Sequence, residues 1–305
     1  MVLPLGLRGP KRVAAAARNR ARCYDRAVRD VRPSAVAGSW YPATGAHLSE
    51  AVDAHVASVT LDGARACPRA VIAPHAGLLY SGPVAAYAYS LVRRCQYAAV
   101  VLVGPSHFVG FQGVSIWPRG AWDTPLGEVQ VADGLAGALA AESREIVEHP
   151  AAHGREHSLE MQMPFVARLL PGVPIVPLVM GYQQRGTAMA LGDALARAIT
   201  SYRARHPGDV LIVASSDLSH YEDAATASRL DADVLRHVEA LDADGLMEAL
   251  EREPRHACGG GPMVSVLRAA VQLGGTHARV LRYADSGDVS GDKSSVVGYM
   301  AAAIW

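Results

Sequence analysis

Net charge, closely spaced cysteines and long apolar runs are all missing from this 305-residue sequence. Its 29 Lys and Arg residues balance its 29 Asp and Glu residues, so no overall field attracts nucleic acid or an anionic membrane. The longest strand-like apolar run, residues 98–103, is much shorter than the roughly 20 residues of a membrane-spanning helix. We therefore expect a soluble protein that binds neither nucleic acid nor a membrane.

The chain has only four cysteines, and they form no Cys-x-x-Cys pair. This is not the dense pattern of a small extracellular domain held together by disulfides, so the reducing cytoplasm is the expected location. Cys67 precedes a predicted strand and Cys95 lies between a predicted helix and a strand. Both are interpreted as small buried apolar residues.

The first 30 residues differ in composition from the rest of the chain. They hold eight basic and two acidic residues and a run of four alanines, but no serine. They lack the apolar stretch of a secretory signal and the serine content of a transit peptide. We predict a basic, poorly ordered N-terminal extension over residues 1–30 and one domain over residues 31–305. The alternative is a start site assigned too far upstream.

After residue 31, short β-branched runs alternate with alanine-rich segments, a pattern typical of an α/β domain. We predict one domain with a central mixed sheet flanked by helices. The predicted strands are 70–73, 98–103, 175–179, 210–214, 279–283 and 295–301. The predicted helices are 47–58, 83–93, 132–141, 158–170, 187–203, 224–239, 242–251 and 262–273. Pro83 and Pro262 are placed in first helical turns, and Ser158 and Asp242 are placed as N-caps.

Three of these strands are each followed by a histidine, namely His75, His107 and His220. Ligands of open α/β sheets bind beyond the carboxyl ends of the strands, where such loops converge. One histidine after one strand is most simply a hydrogen-bonded loop residue. Three at equivalent places predict a shared site, and imidazole is the commonest metal ligand.

Two further segments supply candidate site residues. Cys258 lies in a glycine-rich turn before a predicted helix, where the helix dipole favours the metal-binding thiolate. His157 and Glu160 share one helix face in the segment EHSLEMQMPF. Glu160 can orient a ligand histidine, or Ser158 and Glu160 can simply cap the helix.

Six ordered segments resemble the Memo family, whose bacterial and archaeal members are labelled AmmeMemoRadiSam system protein B: PHAG…YSG, GPSH…G, EHSLEMQMPF, SSDLSHY, CGGGP and YADSGD…VVGYM. The resemblance runs from about Val31 to the C-terminus. It implies a LigB-like fold, as in class III extradiol dioxygenases, and the metal ligands His75, His107 and Cys258. Asp217 and His220 fall where the family has pocket residues, and His220 resembles the acid/base histidine of the dioxygenases.

The dioxygenases complete their iron site with a carboxylate, whereas this chain has Cys258 at that motif. A thiolate favours iron or copper, with zinc as a further option, and makes the site sensitive to oxidation. We expect a redox-related metal-binding protein in which Asp217 and His220 handle protons.

Three alternatives remain. One is a non-haem iron dioxygenase that cleaves a small aromatic substrate. Another is a non-catalytic adaptor that binds a peptide or protein in a groove near Trp40, Tyr80, Trp117 and Trp122, and the family resemblance implies radical-SAM and AMMECR1-like partners. A third is a serine hydrolase using Ser215 or Ser216, for which no Gly-x-Ser-x-Gly motif is present.

Overall fold

The structure is a computed structural model that describes residues 30–61 and 66–305. Short apolar segments of the chain form its strands. The strands of this part are β1 (Val31–Arg32), β2 (Ala70–Ala73), β3 (Tyr97–Pro105), β4 (Val114–Ile116), β5 (Ala121–Trp122), β6 (Val129–Gln130), β7 (Ile146–Val147), β8 (Ile175–Met180), β9 (Asp209–Ser215), β10 (His220–Glu222), β11 (Ala278–Asp285) and β12 (Val296–Ile304). The predicted N-terminal extension lies, except for Asp30, outside the described residues and stays a prediction.

Helices alternate with these strands along the chain. They are α1 (Gly45–Ala57), α2 (Leu78–Val92), α3 (Asp133–Glu142), α4 (Pro150–Gly154), α5 (Met163–Leu169), α6 (Arg185–Arg203), α7 (Ala224–Glu239), α8 (Ala243–Arg252), α9 (Gly260–Gln272) and α10 (Gly287–Ser290). Two 3-10 turns, Glu160–Gln162 and Pro254–His256, precede α5 and α9. No helix in the described ranges is long and apolar enough to cross a membrane.

A nine-stranded sheet forms the centre of the domain, and β1, β5 and β6 form a separate three-stranded sheet. The order of the nine-stranded sheet is β10-β12-β2-β9-β3-β8-β4-β7, and β11 also pairs with β12. The four central strands β2, β9, β3 and β8 run parallel, while β12 and β4 join them antiparallel. The central strands are almost wholly buried and apolar, as expected where both faces of a parallel sheet are covered. The predicted α/β domain with a central mixed sheet is confirmed.

The predicted strands and long helices are all present, but two helix starts are wrong. The helix containing Pro83 begins at Leu78, so Pro83 lies in its interior and one main-chain hydrogen bond is missing there. Ser158 is not an N-cap, because a 3-10 turn precedes α5 and the Ser158 hydroxyl donates to the carbonyl of Pro105. Asp242 is the predicted N-cap of α8 and accepts from the Gly245 amide. The unpredicted strands are mostly two or three residues long, too short to show alternation.

The interpretation of Cys67 and Cys95 as separate buried thiols is wrong. Their Cα atoms lie 5.8 Å apart and their sulfurs form a disulfide. The bond joins the segment before β2 to the end of α2, and so closes a loop that contains His75. The two cysteines are 28 positions apart in the sequence, so no local pattern indicated that they pair. Disulfides are typical of oxidising compartments, so cysteine usage no longer supports a cytoplasmic location.

Candidate metal centre

The side chains that follow three central strands meet at one edge of the sheet. β9 lies between β2 and β3 in the sheet, and all three run parallel. His75 follows β2, His107 follows β3, and Asp217 and His220 follow β9. All four line one cavity of about 430 Å³, together with Cys258. The carboxyl ends of the strands thus assemble the residues that the sequence placed there.

His75 is a buried histidine with one ring nitrogen fixed by hydrogen bonding. Its Nδ1 lies 2.9 Å from Ser215 Oγ, and that hydroxyl donates to the Ser158 carbonyl. Ser215 therefore accepts from Nδ1–H, which leaves the Nε2 lone pair directed at Cys258 Sγ, 3.2 Å away. Burial, followed by the neighbouring histidines His107 and His157, holds the pKa of His75 well below its usual value. The neutral, ligand form of this imidazole is favoured.

His107 is held by Glu156, a residue that the sequence analysis did not select. Glu156 accepts from the His107 main-chain amide at 2.6 Å and from its ring Nδ1 at 2.9 Å. Burial would raise the pKa of Glu156, but hydrogen bonds and charge from His107 and the amide of Ser158 lower it to about 2. The carboxylate is therefore ionised and fixes the His107 tautomer with Nε2 free, as is usual for metal-ligating histidines.

Cys258 completes the group. Its sulfur, His75 and His107 each offer a ligand atom, and these atoms all lie within 4.8 Å of one another. Although the residue is partly exposed, burial of its thiol, and then the charge of Asp217, raise its pKa. The expectation that the helix dipole and free backbone N–H groups stabilise a thiolate at Cys258 is therefore wrong. The positive charge of a bound cation would stabilise the thiolate of Cys258, because a thiol that coordinates a metal loses its proton.

A second group, His107, Glu156 and His157, also lies within 4.8 Å. It is a poorer ligand set because Glu156 is almost fully buried and its oxygens accept from His107, His157 and Ser158. Using Glu156 as a ligand would break these bonds and free the His107 ring. His157 instead stacks on His107, with ring centroids 4.4 Å apart, and on its other side contacts Trp40.

Asp217 and His220 have different surroundings within the cavity. Asp217 Oδ1 accepts from the main-chain amide of His75 at 2.6 Å, so this carboxylate holds the His75 loop in place. Burial raises the pKa of Asp217. His220 Nδ1 lies 2.8 Å from the Leu218 carbonyl and carries a proton that it donates to that oxygen, so Nε2 is the ring nitrogen left for other partners. The next residue, Tyr221, has a left-handed φ of 63°, unusual for a bulky residue and frequent near functional sites.

Glu160 does not contact a ligand histidine. Its carboxylate binds Arg32 at 2.6 Å, the amides of Ala35 and Val36, and the hydroxyl of Tyr41. It also does not serve the predicted capping arrangement with Ser158. Glu160 therefore anchors the start of the domain, and Glu156 is the carboxylate that orients a ligand.

Two other sequence interpretations are settled by burial. Trp122 is fully buried, with the Arg32 guanidinium 4.2 Å from its ring, so it cannot line a surface groove, whereas Trp40 does border the cavity. Ser215 and Ser216 are buried, and Ser215 Oγ is engaged by Gln162, His75 and the Ser158 carbonyl. This arrangement gives no support to a serine nucleophile.

The donor set of the candidate metal centre fits a transition metal. Two imidazoles and one sulfur are ligands for zinc, iron or copper rather than for magnesium or calcium, which prefer oxygen. Both imidazoles have the distal hydrogen-bond partners that metal sites use for orientation, Ser215 for His75 and Glu156 for His107. His75, His107 and Cys258 are therefore the residues that can hold an ion.

Known proteins are similar in sequence to this chain over most of its length. A MEMO1 family protein of Thermotoga maritima is 37% identical over 284 residues, which cover 90% of this chain and 99% of that protein. A MEMO1 family protein of Methanothermobacter thermautotrophicus is 38% identical over 277 residues, covering 88% and 98%. The crystal structure of the uncharacterized protein JW3007 from Escherichia coli K12 has a TM-score of 0.52 at 15% identity, covering 76% of this chain and 98% of that one. It shows a shared fold.

The family resemblance of the ordered sequence motifs is confirmed over the same range. The family model described as Memo-like protein matches residues 32–303, which contain all of the cavity residues named above. The chain therefore belongs to the Memo-like protein family.

Proposed function

We propose that this protein is a redox-related metalloprotein in which His75, His107 and Cys258 bind iron or copper, with zinc as the third candidate. The observation that carries the proposal is the convergence of two imidazole nitrogens and one sulfur within 4.8 Å of one another. The three residues come from loops that are separate in sequence and are each held by hydrogen bonds. A chance cluster would not need both imidazoles to be oriented.

The cysteine supports iron or copper. Thiolate is a soft, oxidisable ligand, so it matches metals that change oxidation state and makes the centre responsive to oxidants. When bound, such an ion would supply electron transfer or Lewis acidity. The chain's own part is to exclude bulk water around His75, to orient both imidazoles through hydrogen bonds at Nδ1, and to hold Cys258 next to them.

His220 and Asp217 are the proposed proton-handling residues. His220 lines the same cavity with Nδ1 bound to the Leu218 carbonyl, and imidazole is the side chain most often used as a general acid or base. Asp217 fixes the main chain of His75, and burial raises the pKa of its carboxyl group. Together they place an imidazole and a carboxyl group beside the candidate ligands.

The test is metal analysis of protein purified without oxygen and without added metal, combined with absorption spectroscopy. We expect about one equivalent of iron or copper, and loss of most of it in Cys258→Ser and His107→Ala. His47→Ala, a change at an exposed histidine outside the cavity, is the control and should keep the metal. Background metal content in the unaltered protein, with no effect of Cys258→Ser on the affinity for added metal, would contradict the proposal.

A non-haem iron dioxygenase is the second candidate, and the free Nε2 of His220 favours it. A base at that place can deprotonate a catechol hydroxyl as the substrate binds. Oxygen uptake with a panel of catechols after anaerobic loading with Fe(II) would support this function. No uptake by protein that retains the iron would exclude it.

A protein- or peptide-binding adaptor is the third candidate. Trp40, Phe108 and Tyr221 are exposed aromatic residues at or near the cavity, and such residues often serve as binding anchors. Radical-SAM and AMMECR1-like proteins are the proposed partners. Binding of these purified proteins that is lost in Tyr221→Ala but independent of metal would favour this function over an enzyme.

A further inference from the structure

The loop that carries Cys258 is held on one side by the end of β9. The Cys258 amide donates to the Asp217 carbonyl at 3.3 Å, and the Gly259 amide donates to Ser216 Oγ at 3.0 Å. A Cβ atom at Gly259 would lie 2.5 Å from the Ser215 carbonyl oxygen, so no other residue fits this close approach. These contacts fix one face of the loop.

Gln183 also holds this loop. It follows β8 and precedes α6, and its side-chain amide spans the cysteine loop. Nε2 donates to the Cys258 carbonyl at 2.6 Å, and Oε1 accepts from the Gly261 amide at 2.7 Å. Gly261 is in the first turn of α9, where amides have no helical partner. A carboxamide can make both contacts because it donates and accepts at the same end.

Beside this contact lies a cavity of about 280 Å³, separate from the one that contains the histidines. It is bordered by Gln183, Ala257, Gly260, Gly261 and side chains of α8. Packed side chains therefore do not fill the space next to the loop on this side. The two hydrogen bonds from Gln183 hold the loop beside this space, together with the close approach of Leu250 to Gly260 and of Met180 to Gly261.

We propose that Gln183 is a positioning residue that fixes the main chain at Cys258, and so places its sulfur beside His75 and within reach of an ion bound by His107. Gln183 touches no ligand atom and acts through the Cys258 carbonyl. The proposal rests on the proposed function of the site as a metal centre. Its consequence is that metal affinity depends on a residue that is remote from the ligands in sequence and outside the histidine cavity.

The experiment compares Gln183→Met, which keeps side-chain length but removes both hydrogen bonds, with Gln184→Met. Gln184 is exposed and its side chain makes no capping hydrogen bond. Cobalt(II) is the probe, because thiolate coordination gives a charge-transfer absorption that imidazole coordination does not. We expect Gln183→Met to lower cobalt affinity about 10- to 100-fold and to weaken this absorption, as for other residues that orient ligands. Gln184→Met should match the unaltered protein.

A metal-free measurement separates this proposal from the proposed function. The rate of Cys258 alkylation by iodoacetamide, read by peptide mass spectrometry, should rise several-fold in Gln183→Met because the loop is released. If the unaltered protein shows no cobalt–thiolate absorption, the metal function fails, and the alkylation rate alone decides the role of Gln183. Equal alkylation rates in the two variants, or equal cobalt affinity and absorption where cobalt binds, would overturn the positioning role.

Discussion

Glu156 and His107 are joined twice, once through the histidine main chain and once through its ring. The carboxylate accepts from the His107 amide at 2.6 Å and from Nδ1 at 2.9 Å, although the residues are 49 positions apart. One side chain thus sets both the position of the His107 loop and the tautomer of its imidazole. The position of a candidate ligand therefore depends on a residue that does not bind the ion.

Glu156→Gln should weaken metal binding without removing a ligand. The glutamine oxygen can replace only one carboxylate oxygen, so its NH₂ group faces either the His107 main-chain amide or His107 Nδ1. One of the two contacts that hold His107 is then lost. We expect a 10- to 100-fold loss of metal affinity, measured by competition with a chelator. Glu148→Gln, a change at an exposed glutamate, is the control. An unchanged affinity in Glu156→Gln would show that His107 does not need this partner.

Glu160→Gln should affect stability rather than metal binding. Glu160 is 1% exposed and pairs with Arg32, which is equally buried. Neutralising one partner leaves a buried charge uncompensated, which costs about 3 kcal/mol. Urea unfolding should show this loss, while the metal affinity of the folded variant falls much less than in Glu156→Gln. A larger loss of metal affinity in Glu160→Gln than in Glu156→Gln would show that Glu160, and not Glu156, orients a ligand histidine.

The disulfide between Cys67 and Cys95 should stabilise the domain. For a loop with a sequence separation of 28, loss of chain entropy in the unfolded state contributes about 3 to 4 kcal/mol. We expect the Cys67→Ser/Cys95→Ser double variant to unfold at lower urea concentration, and the unaltered protein to behave like it in dithiothreitol. Cys258→Ser is the control and should keep its response to the reductant. An equal stability with and without reductant in the unaltered protein would contradict the bond.

His153 should make the protein less stable in mild acid. Its ring is fully buried, and its Nε2 donates to Ser115 Oγ, because that hydroxyl is itself used on the His149 carbonyl. Burial, followed by the charge of Arg32, lowers its pKa to about 3. The unfolded state, with a pKa near 6.5, therefore binds the proton first. Stability contributed by the neutral ring is present above about pH 6.5 and is lost as the pH falls toward about 3.

Between pH 7 and pH 5 this linkage costs about 2 kcal/mol. We expect His153→Gln, which keeps a donor for Ser115, to reduce the fall in free energy of unfolding over this range. The measurement is urea unfolding at several pH values, with the exposed His47→Gln as control. If the free energy of unfolding falls equally with pH in the unaltered protein and in His153→Gln, His153 takes up its proton in the folded state as readily as in the unfolded state.

Much of the fold could be predicted from local sequence pattern. The bounds of β2 and α7 agree with the predicted segments, because continuous apolar runs and helical periodicity are properties of neighbouring residues. The placement of His75, His107 and His220 after strands also followed from local pattern. The convergence of His75, His107 and Cys258 was implied by the ordered family motifs, and the structure provides its geometry.

The sequence by itself determined the long strands of the sheet, which residues follow them, and the family motifs that contain His75, His107 and Cys258. Tertiary structure decided the rest: Glu156 rather than Glu160 as the partner of His107, the Ser215 contact that fixes His75, and the pairing of Cys67 with Cys95. It also decided that burial raises the pKa of the Cys258 thiol. The reason is that hydrogen bonds and burial depend on residues far apart in the chain, such as Cys258 and His75 at a separation of 183, which no local pattern encodes.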